Sequence, residues 1–131
     1  MMNDTAPIPT GIELHQKTKI LELIYSDNER YKLSCEYLRV YSPSAEVKGH
    51  GPGQEVLQVG KKHITINTIE PTGNYALRLT FSDGHDTGIF SWNYFYQLCT
   101  NKDNWWQDYL DRLVEAGGNR DPDIQVVRIG N

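Results

Sequence analysis

Two stretches of this chain carry the same string of folding signals. Tyr25-Ser26-Asp27 is echoed by Phe81-Ser82-Asp83. With one residue of slippage, Leu33-Ser34-Cys35-Glu36-Tyr37-Leu38 is echoed by Phe90-Ser91-Trp92-Asn93-Tyr94-Phe95. Each copy reads as strand, Ser-Asp turn, returning strand and serine-capped helix. Two such units bury their apolar faces best against each other. This predicts an α+β fold: a small two-layer domain of two hairpin–helix units with a C-terminal helix.

The residues between these landmarks fill in the elements. Residues up to Thr10 read as a loose lead-in with two prolines, Pro7 and Pro9. Ile20, Leu21, Leu23, Ile24 and Tyr25 form an apolar run that suits a mostly buried strand, and Tyr31 to Leu33 return as its hairpin partner. Ser34 caps a short helix over Cys35 to Tyr41, which Pro43 helps to end. Val56, Leu57 and Val59 suggest a short strand, and Ile64, Ile66 and Ile69 another, closed by Pro71-Thr72-Gly73-Asn74. Tyr75, Leu77, Leu79 and Phe81 alternate with Ala76, Arg78 and Thr80, the pattern of a strand with one wet face.

Thr87 to Phe90 return, and Ser91 caps a helix through Trp92, Phe95, Tyr96 and Cys99. A second helix is predicted from about Asp103 to Ala116. It carries Trp106, Tyr109, Leu110 and Leu113 at i, i+3, i+4, i+7, and Gly117-Gly118 stops it. Ile124 to Ile129 read as an edge strand. The 131 residues form one domain, with a core over about 8–99, the C-terminal helix over about 103–116 and a tail over 117–131.

Charge and cysteine usage narrow the function classes. The formal net charge is −4, and basic residues are scattered, with only Lys61-Lys62 adjacent. Such a surface gives no electrostatic footprint for nucleic acid or an anionic membrane. Cys35 and Cys99 have no paired-ligand spacing and read as two buried free thiols of a reducing compartment. No run reaches the length of a membrane span, and the start of the chain lacks a basic, then apolar, leader. The expected location is cytoplasmic.

Few residues suggest chemistry. Neither cysteine has a histidine close in sequence, and Ser42 and Ser44 lack a nucleophile-elbow context. Gly49, Gly51 and Gly53 alternate, but no Lys-Ser or Lys-Thr follows them, which excludes a P-loop. The loop reads either as a connector or as a recognition loop in which Lys48 and His50 meet acidic or phosphate groups. Adjacent Trp105 and Trp106 cannot both point inward on one helix, so one of them is a candidate interface anchor. Asp83 and Asp86 flank His85 and can hold it protonated.

Leu38-Arg39 followed by Ser42-Pro43-Ser44-Ala45-Glu46-Val47, then Gly49-His50-Gly51-Pro52-Gly53-Gln54, is a recognisable order of motifs. Together with Ser82-Asp83-Gly84-His85-Asp86 and Gly88-Ile89-Phe90-Ser91-Trp92, it resembles the gamma-butyrobetaine hydroxylase-like N-terminal domain family. The resemblance spans roughly Ile8 to Leu98. It implies a domain that is not itself catalytic. Such domains are fused ahead of 2-oxoglutarate-dependent oxygenases, fused to P-loop iron–sulfur carrier ATPases, or stand alone.

In zinc-binding members three cysteines and a histidine hold the ion, at places that fall here on Ser42, Ser44, Val47 and His85. Only the histidine is kept. Serine hydroxyls are poor zinc ligands and valine offers none. No cofactor is therefore expected. The alternative is zinc, iron or another hard or borderline cation at His85 with Asp86 and Glu46 or His50. The order Asp-Gly-His-Asp is not that of a facial iron triad.

The function expected is a non-catalytic interaction module with a protein partner, docking on an iron–sulfur carrier or a 2-oxoglutarate oxygenase. Its candidate contact residues are Arg39, Lys48, His50, Gly51, Gly53, Trp105 and Trp106. Its alternative is a metal-binding protein using His85 and nearby acidic residues.

Overall fold

The computed structural model describes residues 6–124. The first copy of the repeat is a three-stranded antiparallel sheet and a helix: β1 (Gly11–His15), β2 (Ile20–Ile24), β3 (Arg30–Ser34) and α1 (Cys35–Val40). The short α2 (Ala45–Lys48) follows. The second copy repeats the plan with β4 (Ile66–Thr72), β5 (Ala76–Phe81), β6 (Ile89–Ser91) and α3 (Trp92–Thr100). Helix α4 (Lys102–Ala116) closes the α+β fold.

The echo in sequence is an echo in geometry. The Tyr25 N–H donates to the Glu29 carbonyl and the Asn28 N–H to the Tyr25 carbonyl. In the second copy, the Phe81 N–H donates to the His85 carbonyl and the Gly84 N–H to the Phe81 carbonyl. Asp27 Oδ1 accepts from the Glu29 N–H, and Asp83 Oδ1 accepts from the His85 N–H. Both turns need one residue at positive φ, Asn28 at 66° and Gly84 at 90°, the residue types that tolerate it. Ser34 Oγ caps α1 through the Tyr37 N–H, and Ser91 Oγ caps α3 through the Tyr94 N–H.

One core joins the two copies. Leu21, Leu23 and Leu33 of the first sheet meet Ile66, Leu79, Phe81 and Phe90 of the second, with Leu38 of α1 and Phe95 and Leu98 of α3. Tyr37 spans this core, its hydroxyl donating to the Leu98 carbonyl. Cys35 and Cys99 are free and buried within it. A smaller seam of Val40, Tyr109 and Leu113 fastens α4 to α1. Gly117, at φ 70°, ends α4 in a left-handed cap, and the Gly118 N–H returns to the Leu113 carbonyl. Beyond it Arg120 makes a two-pronged bond to the buried Glu36 carboxylate and lies over the Trp106 ring.

Several expectations are corrected. Gly11–His15 is a strand, an element the sequence reading passes over although Ile12 and Leu14 alternate with Glu13 and His15. No strand forms at Val56, Leu57 and Val59. That stretch is held from its sides, by bonds from the Val56 N–H to Val47 and from the Tyr109 hydroxyl to Gln58. Strand β4 runs on through Pro71 and Thr72, expected as a turn; it is an edge strand, where a proline costs no ladder bond. Tyr75 is exposed rather than inward, its ring lying against Gly73. Of the expected strand at 124–129, only Ile124 lies within the described residues, and it is not in a strand. Among the described residues no helix is long and apolar enough to cross a membrane.

The two serine caps give a direct test. Ser34→Ala and Ser91→Ala should each lower unfolding free energy by about 1 kcal/mol in urea titrations, with their effects adding in the double variant.

Candidate functional site

The second Ser-Asp turn does more than its counterpart. While Asp83 Oδ1 holds the turn, Oδ2 accepts from Arg39 Nε at 2.9 Å and Lys61 Nζ at 2.7 Å. Burial alone would raise this carboxyl. The Lys61 ammonium, the His85 N–H and the Arg39 guanidinium outweigh it and hold the pKa down at about 2. Arg39 is thereby buried, and its Nη1 has no partner among the described residues. It ties α1 to the turn and is not available to a docking partner.

His85 follows in the same turn and is buried. Its Nε2 lies 2.8 Å from Ser42 Oγ, and its Nδ1 lies 3.0 Å from Glu46 Oε1. The partners select the tautomer: Nδ1–H donates to the carboxylate, and Nε2 accepts from the Ser42 hydroxyl. Burial and the nearby Arg39 charge push the His85 pKa down, against the opposite pull of Glu46 and Asp83. This corrects the expectation that Asp83 and Asp86 hold the ring protonated. The carboxylate that meets the ring is Glu46, not Asp86.

The network continues. Thr87 Oγ1 donates to Glu46 Oε1 at 3.1 Å and accepts from Ser44 Oγ at 2.7 Å, while Ser44 Oγ caps α2 through the Glu46 N–H. Ser42, Ser44 and His85 thus converge, as the family's zinc places imply, but the donor set does not fit zinc. Two hydroxyls already committed to hydrogen bonds and an apolar Val47 stand where thiolates are needed. Nor do His85 and Asp86 belong to a metal-ligating triad. Among the described residues the one such group is Glu13, His15 and Glu22, on β1 and β2. There His15 Nε2 lies 3.1 Å from Glu22, and Arg30 bonds Glu22 at 3.0 Å.

Ser42, His85 and Glu46 also stand in the order of nucleophile, base and carboxylate. Two observations argue against acyl transfer. Ser42 has 0% exposure, with Gly88 packed so tightly on its hydroxyl that a Cβ there would clash. Pro43 follows it, so the next residue has no N–H to offer an oxyanion. The thiols are no better placed, since burial pushes Cys35 up to about 11 and Cys99 up to about 12.

Beside this network lies a cleft of about 790 Å³, a size suited to a bound side chain or small molecule. One wall is α2 and the loop after it, with Val47, Lys48, His50 and Gly51. The opposite wall is aromatic: Tyr41 after α1, Tyr94 of α3, and Trp105 and Tyr109 of α4. These rings are fixed by bonds from the Tyr41 hydroxyl to the Trp105 carbonyl, from the Tyr94 hydroxyl to the Tyr41 carbonyl, and by the contact of Trp105 with Tyr41 at 5.4 Å. Lys48 Nζ reaches across to within 4.7 Å of the Tyr94 ring centre. Arg112 borders the cleft, donating to the Tyr41 hydroxyl and pairing with Asp108.

Of the seven contact residues expected from sequence, the cleft therefore gathers Lys48, His50, Gly51 and Trp105. Gly53 lies in the same loop without lining the cleft, at φ 81° and with open space where a Cβ would sit. Trp106 turns the other way, against Tyr37, Tyr109 and Arg120. The tryptophan pair is thus split between cleft and packing, and both rings are half-buried. Sequence reasoning missed Tyr41, Tyr94 and Arg112, whose roles come from three separate helices meeting. It set Glu46 beside His85 as a metal ligand and missed that the two join Ser42 in a hydrogen-bonded chain, although the family's zinc places, which put Ser42 with His85, were an available signal.

Comparison with known proteins follows this geometry. Residues 12–96 match the family model "Gamma-butyrobetaine hydroxylase-like, N-terminal". Two NMR solution structures are similar over nearly the whole chain. One has 50% identity and a TM-score of 0.80, covering 95% of this chain and 98% of that one. The other has 45% identity and a TM-score of 0.77, covering both chains completely. A crystal structure of a DUF971 family protein of unknown function from Acidithiobacillus ferrooxidans has 33% identity and a TM-score of 0.60, over 73% of this chain and 97% of that one. No curated protein matches the chain.

The low pKa of Asp83 has a sign that can be measured. A depressed carboxyl adds stability above its unfolded value of about 4, and loses it as pH falls from there through about 2. Discounted for its partly open position, the contribution is about 1–2 kcal/mol. Asp83→Asn should lose that amount near neutral pH, and its deficit should shrink towards zero as denaturation curves are taken from pH 4 to pH 2.

Proposed function

The chain belongs to the gamma-butyrobetaine hydroxylase-like N-terminal domain family, and on that premise we propose that it is a non-catalytic interaction module whose contact surface is the Lys48–Trp105 cleft. The observation that carries this reading is the convergence itself. Residues from α2, the glycine loop, α3 and α4 meet around one aromatic-walled space, and the histidine that could have done chemistry is sealed beside it. An aromatic surface with a few polar groups at its rim is what a docked side chain uses for affinity and orientation.

The partner in this reading is a protein. The family resemblance directs the choice to an iron–sulfur carrier or a 2-oxoglutarate oxygenase, the proteins to which related domains are fused. The loop carrying His50 and Gly51 supports contact, since it is open on its outer side and Gly51 leaves room for an approaching backbone. Gly49 has a different role. Its φ of 76° and its closeness to the Gln54 carbonyl mean that no side chain fits there, so it shapes the loop rather than the contact.

Tagged protein purified from its own cell extract should retain a specific partner, and Trp105→Ala and Lys48→Glu should each weaken that complex at least tenfold, about 1.4 kcal/mol. Arg78→Ala, on the second sheet and paired with Glu70, should leave it unchanged. Retention of the partner by both cleft variants, or no specific partner at all, would overturn the proposal.

A further inference from the structure

We infer that this chain has exchanged a metal clamp for a hydrogen-bonded one, which shapes the cleft without any metal and which thiols at 42, 44 and 47 would convert into a zinc site. Two chain segments meet here without any strand pairing between them. One is 42–48, which carries α2 and one wall of the cleft; the other is the 83–88 turn. Their connections are side-chain bonds: Ser42 to His85 at 2.8 Å, His85 to Glu46 at 3.0 Å, Thr87 to Glu46 at 3.1 Å and Ser44 to Thr87 at 2.7 Å. Each bond crosses from one segment to the other.

The chemistry of the donors decides between clamp and cage. Every hydroxyl in this set already has its partner, and buried ones so paired, Ser42 and Ser44, add specificity without needing an ion, while Thr87 and Glu46 close the set at its exposed edge. Zinc would have to take oxygen from neutral hydroxyls and displace the Ser42–His85 bond, an exchange that a hydroxyl ligand does not compensate at neutral pH. With thiols the balance reverses, because thiolates release their protons to bind and leave His85 Nε2 as the fourth donor. Gly88 is part of the design, since its bare Cα makes room for the Ser42 side chain.

The test uses the whole chain in two forms. Wild-type protein produced in zinc-supplemented medium should hold less than about one zinc per ten chains by elemental analysis. Its thermal midpoint should not move with added zinc or a chelator. The triple variant Ser42→Cys, Ser44→Cys, Val47→Cys should take up about one zinc per chain, gain thermal stability from it, and lose both with His85→Ala added. With cobalt in place of zinc it should show the thiolate charge-transfer band of a tetrahedral site.

Stoichiometric zinc that stabilises the wild type would overturn the exchange. A triple variant that takes up no zinc, whether folded without metal or still unfolded with it, would overturn the conversion. Neither readout involves a partner, so the outcome is independent of the proposed docking function.

Discussion

The Asp83 carboxylate fixes the geometry of the second turn and of the side chains gathered around it. One oxygen fixes the turn that orients His85, and the other gathers Arg39 from α1 and Lys61 from the loop before β4. Its counterpart in the first copy, Asp27, keeps the turn bond and sits in an exposed setting. The two halves therefore share a local design and differ in what surrounds it. Of the two turns, the second is the one that α1 and α2 pack against, and there a polar network forms with Ser42, Ser44 and His85 buried and Glu46 and Thr87 at its exposed edge. That network stands the α2 wall of the cleft opposite the aromatic wall.

Energetically the domain divides its tasks. The shared apolar core of both sheets, α1 and α3 supplies the driving force for folding. The polar network supplies little net stability, because each buried hydrogen bond replaces one made with water. What it supplies is uniqueness. Leaving one of its buried members, Ser42, Ser44 or His85, unpaired is costly, so segment 42–48 has one favourable position. The Arg120–Glu36 pair does the same for the end of the described chain, drawing it across α1 and over Trp106.

Local signals made much of this legible. The two serine caps, both Ser-Asp turns, the inward set Leu77, Leu79 and Phe81, and the span of α4 are each decided by neighbours within a few residues. What escaped was decided at a distance. Strand β1 forms because Ile12 and Leu14, alternating with Glu13 and His15 over a short run, find β2 as a partner. Val56 to Val59 have strand-like side chains but pair with no strand; their backbone is claimed by Val47, and Gly60 beyond them by Asn119. The candidate site was legible in its parts, Lys48, His50 and Trp105, and not in its assembly. Nothing in periodicity says that Tyr41, Tyr94 and Arg112 meet, or that Ser42 reaches His85 across 43 residues.

A nitrogen-15 NMR titration of the whole chain with a purified iron–sulfur carrier or 2-oxoglutarate oxygenase tests the proposed contact surface. If the cleft is that surface, the Trp105 indole and the amides of Lys48, His50 and Gly51 shift or broaden first, while β1 and β4 stay in place. Perturbations confined to the sheet edges, or none with either partner at saturating concentration, would contradict it.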